Sequence, residues 1–249
     1  MPITVHEWGD PAAARRRAAA LGSDEVQVWL AALPAAETDV TELTNQLSRD
    51  ERERAERFRM SESRQHFLFG RALLRQLLAA CVNIEPGALE FALQSHGKPF
   101  LSRPTAAGNL RFNLSHSGGL VAIALARGRE IGVDIESLRD DSQPWLPLAS
   151  RIFSTRELRE LHALPTPDLQ RRGFFHGWTR KEAYLKATGE GLTDTLAAIE
   201  VTLTPGKPPE LLKLPGGLDT RQWSIRDIPL PPDFAGAVVF ATRPASEPQ

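Results

Sequence analysis

The order of elements along this chain repeats, and that repetition constrains its fold more than any other feature of the sequence. Ser48-Arg49-Asp50-Glu51 is a capping-box pattern opening a charged helix that runs towards Phe58. Helical periodicity then covers about residues 63–82. Phe67, Leu73, Leu74, Leu77 and Cys81 fall on one side, with Arg64, Arg71 and Arg75 as a stripe on the other. Strand-like stretches follow at 89–94, 111–114, 120–126 and 131–136, divided by turn signals such as Gly97-Lys98-Pro99 and Ser117-Gly118-Gly119. The second half restates this order. Ser154-Thr155-Arg156-Glu157 is again a capping box, and after Pro165-Thr166-Pro167 a longer helix runs over about 168–186 and stops before Gly189. Strand-like segments return at 198–203, 222–225 and 237–241, and an earlier one occupies 26–30. The expectation is an α+β chain of two similar halves, with a disordered tail at 243–249.

Two short motifs in the second half carry chemistry. Ile131-Gly132-Val133-Asp134-Ile135-Glu136 places two carboxylates at i and i+2, on one face of a strand and opposite the apolar face made by Ile131, Val133 and Ile135. Trp178-Thr179-Arg180-Lys181-Glu182-Ala183-Tyr184-Leu185-Lys186 places a carboxylate and an ammonium one helical turn apart. Taken singly, each motif also fits a solvated face or an ordinary helix pair. Together they suit a hard cation held against a phosphorylated substrate. Trp178, Glu182 and Leu185 share one side of the helix, so the Glu182 carboxylate lies among groups that favour burial and requires a cationic partner. A third stretch, Phe112-Asn113-Leu114-Ser115-His116-Ser117, ends a strand in small polar residues and an imidazole. It can face an anion or simply close a hairpin.

Charge and cysteine content narrow the classes. Lysine plus arginine (30) nearly balances aspartate plus glutamate (31), which argues against a nucleic-acid partner. A metal-dependent nuclease also combines acidic groups with a lysine, but the near-neutral chain does not suit a duplex binder. The single cysteine, Cys81, excludes an intramolecular disulfide framework, and no apolar run reaches membrane-spanning length. A soluble cytoplasmic protein is expected.

The ordered set Gly70-Arg71, Gly97-Lys98-Pro99, Phe112 to Ser117, Gly132 to Glu136, Trp178 to Lys186 and Gly189-Glu190-Gly191-Leu192 resembles the surfactin-type branch of the 4′-phosphopantetheinyl transferases. The resemblance runs from about Ser48 to Leu192. It implies a monomer of two pseudo-twofold related α/β halves with the active site in the cleft between them. Residues 1–122 would contact the phosphates and adenine of coenzyme A, and 123–242 would carry the metal site and dock the carrier. The implied reaction moves the phosphopantetheine arm of coenzyme A onto a serine of an apo acyl or peptidyl carrier protein, releasing 3′,5′-adenosine bisphosphate. A homologue that binds coenzyme A or carrier without transfer is the alternative.

The resemblance also assigns residues. Asp134, Glu136 and Glu182 would hold Mg²⁺, with Mn²⁺ as a substitute. Glu182 would also be placed to deprotonate the carrier serine, and Lys186 to assist the leaving phosphate. His116 and Lys98 would meet the 3′-phosphate with Ser115 beside it, and Arg71, Arg54 and Arg64 would add phosphate or adenine-side contacts. The segment from Asp140 to Arg172, with Trp145, Leu148, Arg151, Phe153, Arg156 and Arg159, is the expected carrier-docking surface.

Overall fold

The computed structural model describes residues 1–33, 41–104, 109–139, 145–190 and 196–243, without the side chains of residues 42 and 43. Among these, the first half contains β1 (Ile3–Glu7), α1 (Pro11–Ala19), β2 (Val26–Ala32), α2 (Thr41–Thr44), α3 (Arg49–Glu56), α4 (Ser61–Val82), β3 (Glu90–Leu93), β4 (Pro99–Arg103), β5 (Leu110–Ser117) and β6 (Leu120–Arg127). The second half contains β7 (Ile131–Ser137), α5 (Trp145–Ile152), α6 (Thr155–His162), α7 (Pro167–Thr188), β8 (Glu200–Val201), β9 (Leu211–Lys213), β10 (Trp223–Asp227) and β11 (Phe234–Ala241). The fold is mixed α+β.

The repetition expected from the sequence holds in element order, and residue by residue through the helices. The capping serines Ser48 and Ser154 lie 106 positions apart (154 − 48). At that same offset lie α3 and α6, α4 and α7, and the left-handed residues that end the long helices, Asn83 and Gly189. Each capping glutamate also receives a buried cation from the long helix, Arg75 onto Glu51 and Lys181 onto Glu157, again 106 apart. Strand order repeats as well. β2-β6-β5 in one sheet matches β7-β11-β10 in the other, and all of these pairs are antiparallel.

Alternation along the strands stacks the molecule as helix, sheet, sheet, helix. Trp29, Ala31, Val121, Ile123 and Leu125 pack on Leu73, Leu74, Leu77 and Leu78 of α4. The opposite face of that sheet, with Val26, Val28 and Ala124, meets Ile131, Val133, Ile135 and Val238 of the other. Ala235, Ala237 and Val239 then pack on α7 through Ala183, Leu185 and Ala187. A period-2 pattern buried on both faces is what a central sheet in a layered fold requires.

Helix α7 lies hard against β7. A Cβ built on Gly132 would stand 2.1 Å from the Ala183 carbonyl oxygen and 2.3 Å from the Ala187 nitrogen. Backbone atoms of a helix cannot step aside as a flexible side chain can. Gly132→Ala is therefore expected to destabilise the protein by about 3 kcal/mol or more, measurable by urea unfolding. A near-neutral result would mean that α7 sits further from the strand.

Three points depart from the sequence reading. The boundary at 122/123 cuts β6, whose partners are both in the N-terminal sheet, so the halves divide after Arg127. The arginine stripe on α4 turns partly inward: Arg75 is fully buried and Arg71 is half-buried, both drawn in by Glu51. Only Arg64 of that set stays exposed. Elements β1 and α1 had little signal to read, since α1 buries only Ala14 and Ala18 among polar and small residues. The tail at 244–249, the start of the docking segment at 140–144 and the 191–192 part of the last motif lie outside the described residues.

Candidate active site

Strand β7 and helix α7 bring the three carboxylates together. Asp134 and Glu136 project from β7 towards α7, and the helix delivers Trp178, Glu182 and Lys186 to the same recess, of about 300 Å³, with Leu114, Ser115 and His116 from β5. The face opposite the apolar residues of β7 is thus covered. Asp134 is 3 % exposed.

The polar contacts are specific. Lys186 Nζ donates to Asp134 Oδ1 at 2.6 Å and to Ser115 Oγ at 3.2 Å, while Ser115 Oγ donates to Asp134 Oδ1 at 2.9 Å. Glu136 is held at both oxygens: Ser117 Oγ donates to Oε2 at 2.8 Å and Trp178 Nε1 to Oε1 at 3.3 Å. Two carboxylate oxygens, Asp134 Oδ2 and Glu182 Oε1, are buried with no hydrogen-bond partner. Buried carboxylate oxygens without a donor are unfavourable.

The electrostatics follow from this crowding. Burial, then repulsion from Asp134, pushes the Glu182 carboxyl up to about 7, against the pull of Lys186. Burial also raises Asp134, more than Lys186 and Ser115 lower it. Glu136 is raised by burial and by Asp134, with Ser117 and Trp178 opposing. One ammonium serves three carboxylates, so the recess is short of positive charge. Among the described residues no three acidic or imidazole side chains close into a finished cage. The unpartnered Asp134 and Glu182 oxygens and the hard oxygen donor set nevertheless fit a small divalent cation.

A second cleft, of about 400 Å³, adjoins the first and shares Leu114 and His116 with it. Its lining combines Phe67, Phe91 and Phe112 with Arg54, His66 and Arg71. The Arg71 guanidinium lies 4.6 Å from the centre of the Phe91 ring, and Arg54 lies 5.4 Å from that of Phe67. Glu51 fixes Arg71 at 2.6 Å, orienting it while cancelling part of its charge. His116 is lowered by burial, then by His66 and Lys186, which favours a neutral imidazole at pH 7.

Not every predicted residue reaches these clefts. Lys98 is buried, and its ammonium meets Glu130 Oε2 at 2.8 Å, Ile131 O at 3.2 Å and Ala187 O at 2.7 Å. It is a strut from the β3–β4 hairpin to the end of α7, with its donors occupied by protein. Arg64 lines a different surface hollow with Thr44 and Arg59. Phe153 of the docking segment is core, packed on Phe174, whereas Leu146 of α5, not singled out in the sequence, is 52 % exposed. The sequence also left Ser117 and the Trp178 indole N–H without roles. Their partner Glu136 is 19 and 42 positions away, which no local pattern reports.

Comparison with known proteins shows the family of the chain. A family model described as the 4′-phosphopantetheinyl transferase superfamily matches residues 130–239, and one described as 4′-phosphopantetheinyl transferase, N-terminal, matches 34–127. The 4′-phosphopantetheinyl transferase HetI of Nostoc sp. is 42% identical over 217 residues, covering 87% of each chain. A 4′-phosphopantetheinyl transferase of Bacillus subtilis is 33% identical over 157 residues, 63% of this chain and 66% of that one. Among solved structures, a holo-(acyl-carrier-protein) synthase of Bacillus anthracis in complex with CoA (3′,5′-ADP) is 23% identical, with a TM-score of 0.37, covering 45% of this chain and 94% of that one. With acidic strand, lysine-bearing helix and both matched halves in place, the chain belongs to the 4′-phosphopantetheinyl transferase family.

Proposed function

We propose that this protein transfers the 4′-phosphopantetheine arm of coenzyme A to a serine of an apo carrier protein in a divalent-cation-dependent reaction. The observation that carries the reading is juxtaposition. The acidic recess with its lysine and the basic, aromatic-lined cleft are neighbours, joined at Leu114 and His116. A pyrophosphate-containing ligand can place its reacting phosphorus in one and its nucleotide end in the other.

Asp134, Glu136 and Glu182 would hold Mg²⁺, which when bound supplies positive charge to the pyrophosphate. Mn²⁺ would serve as a substitute. Glu182, poised near neutrality in the metal-free protein, accepts the proton of the carrier serine. The serine oxygen bonds to the β-phosphorus as the bond from that phosphorus to the bridging oxygen breaks, leaving 3′,5′-adenosine bisphosphate. Lys186, part exposed beside Asp134, offers its ammonium to the charge that develops on the leaving phosphate. His116 faces the 3′-phosphate side, with Arg54 and Arg71 flanking the nucleotide. Lys98 acts behind them by tying the hairpin to α7. The carrier would dock across α5, where Leu146, Trp145 and Leu148 lie beside Arg151.

Mass spectrometry of an apo carrier incubated with the protein, coenzyme A and Mg²⁺ tests the reading. One phosphopantetheine should be gained, and the gain should disappear with EDTA and in Asp134→Ala. Lys186→Ala should slow transfer by about 10²–10³-fold. Coenzyme A binding without magnesium dependence and without transfer to any carrier class would instead favour the binding-only homologue.

A further inference from the structure

The two catalytic-site carboxylates of β7 are held from the other half of the molecule. Along the edge of β7 not paired with β11, the backbone N–H groups of Val133, Ile135 and Ser137 donate to side chains of β5. Their acceptors are Asn113 Oδ1 at 2.9 Å, Ser115 Oγ at 3.4 Å and Ser117 Oγ at 3.0 Å. Residues 113, 115 and 117 share one face of β5, and the matching residues of β7 are also two apart, so the register is a ladder built from side chains. Its two hydroxyls then donate onward, Ser115 to Asp134 and Ser117 to Glu136. Each serine therefore accepts from the strand and donates to a carboxylate that the strand presents.

The duplicated fold shows that this arrangement is not the only way to satisfy such an edge. In the first half the strand equivalent to β7 is β2, and its corresponding edge is covered by the backbone of β1. The positions equivalent to Asp134 and Glu136 there are Trp29 and Ala31, 105 residues earlier (134 − 29), both buried in apolar core. Where no carboxylate has to be oriented, a strand closes the edge. Where two carboxylates must be oriented, two hydroxyls and the Asn113 amide close it.

We propose that Ser117 is a positioning residue for Glu136, fixing its carboxylate across the seam between the halves, with Ser115 acting likewise on Asp134. Ser117 and the Trp178 indole N–H hold the two Glu136 oxygens from opposite elements, β5 and α7. That leaves the carboxylate a single orientation in which to meet a cation. The inference rests on the divalent-cation reading above, and it assigns Ser117 to the metal side of the site, away from any contact with carrier or coenzyme A.

The test is Mn²⁺ binding to the metal-free full-length protein, followed by electron paramagnetic resonance without coenzyme A or carrier. Ser117→Ala should weaken Mn²⁺ by about 10–100-fold, as loss of a partner behind a ligand generally does. Ser117→Thr, which keeps the hydroxyl, should bind close to wild type. In a Glu136→Gln background, Ser117→Ala should have little further effect. Wild-type affinity in Ser117→Ala, or a loss that threonine does not restore, would overturn the positioning role. So would a lowered melting temperature with unchanged Mn²⁺ affinity, because a purely structural seam predicts that pattern. Wild-type protein that binds no Mn²⁺ would overturn the metal reading and this inference with it.

Discussion

Lys181→Met is expected to cost about 3–5 kcal/mol of stability and to lower the melting temperature by about 6–20 °C. Lys181 and Glu157 have fully buried side chains, 0 % exposed on both sides, and meet at 2.6 Å. The ammonium also donates to the carbonyl oxygens of Ile152 and Leu196, and Glu157 Oε1 accepts from the Val201 N–H. Removing the lysine leaves a carboxylate and two carbonyls buried with too few donors, and that penalty dominates over the modest net worth of the pair itself. Urea unfolding checks it. A second change, Glu157→Gln in the methionine background, should recover part of the loss by removing the uncompensated charge. If Lys181→Met costs no more than replacement of an exposed helical lysine, the buried pair does not exist as described.

Glu182→Gln is expected to stop transfer while making the metal-free protein more stable at pH 8. The loss of activity should be about 10²–10⁴-fold, the range for a positioned base. The gain in stability follows from linkage. The Glu182 carboxyl is raised from 4.5 to about 7 in the folded protein. Such a group favours folding only when protonated. Its contribution is unpenalised below 4.5, is lost as pH rises to about 7, and stays lost above. The glutamine variant escapes that loss, so at pH 8 it should exceed wild type by up to about 3 kcal/mol. The difference should shrink to nothing near pH 4.5. Adding Mg²⁺ at pH 8 should raise the melting temperature of the wild type more than that of the variant. A variant less stable than wild type at every pH would show that the ionised carboxylate is well compensated without a cation.

Much of this molecule was legible from local pattern. The capping boxes, the two long helices and the acidic strand each declare themselves within a turn or a few residues, because capping, amphipathic period and strand alternation are short-range effects. Asp134, Glu136, Glu182 and Lys186 were picked out by residue type and spacing, and they converge as a strand packed on a helix allows. The differences share one cause. Lys98 was expected at the 3′-phosphate, yet its hydrogen-bond partners in the protein are 32, 33 and 89 positions away. Arg71 and Arg75 sat on the stripe opposite the apolar side, yet Glu51 gathers both from a separate helix. Phe153 sat in a surface-like segment beside arginines but fills the core against Phe174.

What the sequence alone determined is therefore the list of elements, the repetition of their order and the chemical character of the acidic motif. These depend on interactions within one helix turn or one strand. Only the tertiary structure decided which cations are spent inside the protein and which are left for a ligand. It also decided that Ser115 and Ser117 face carboxylates, and that the helices of the two halves repeat at one offset with the acidic pattern in one copy. Those outcomes depend on which groups meet across the packed layers. Pairing there is set by burial, since a charge or hydroxyl removed from water takes whichever partner the fold brings within reach.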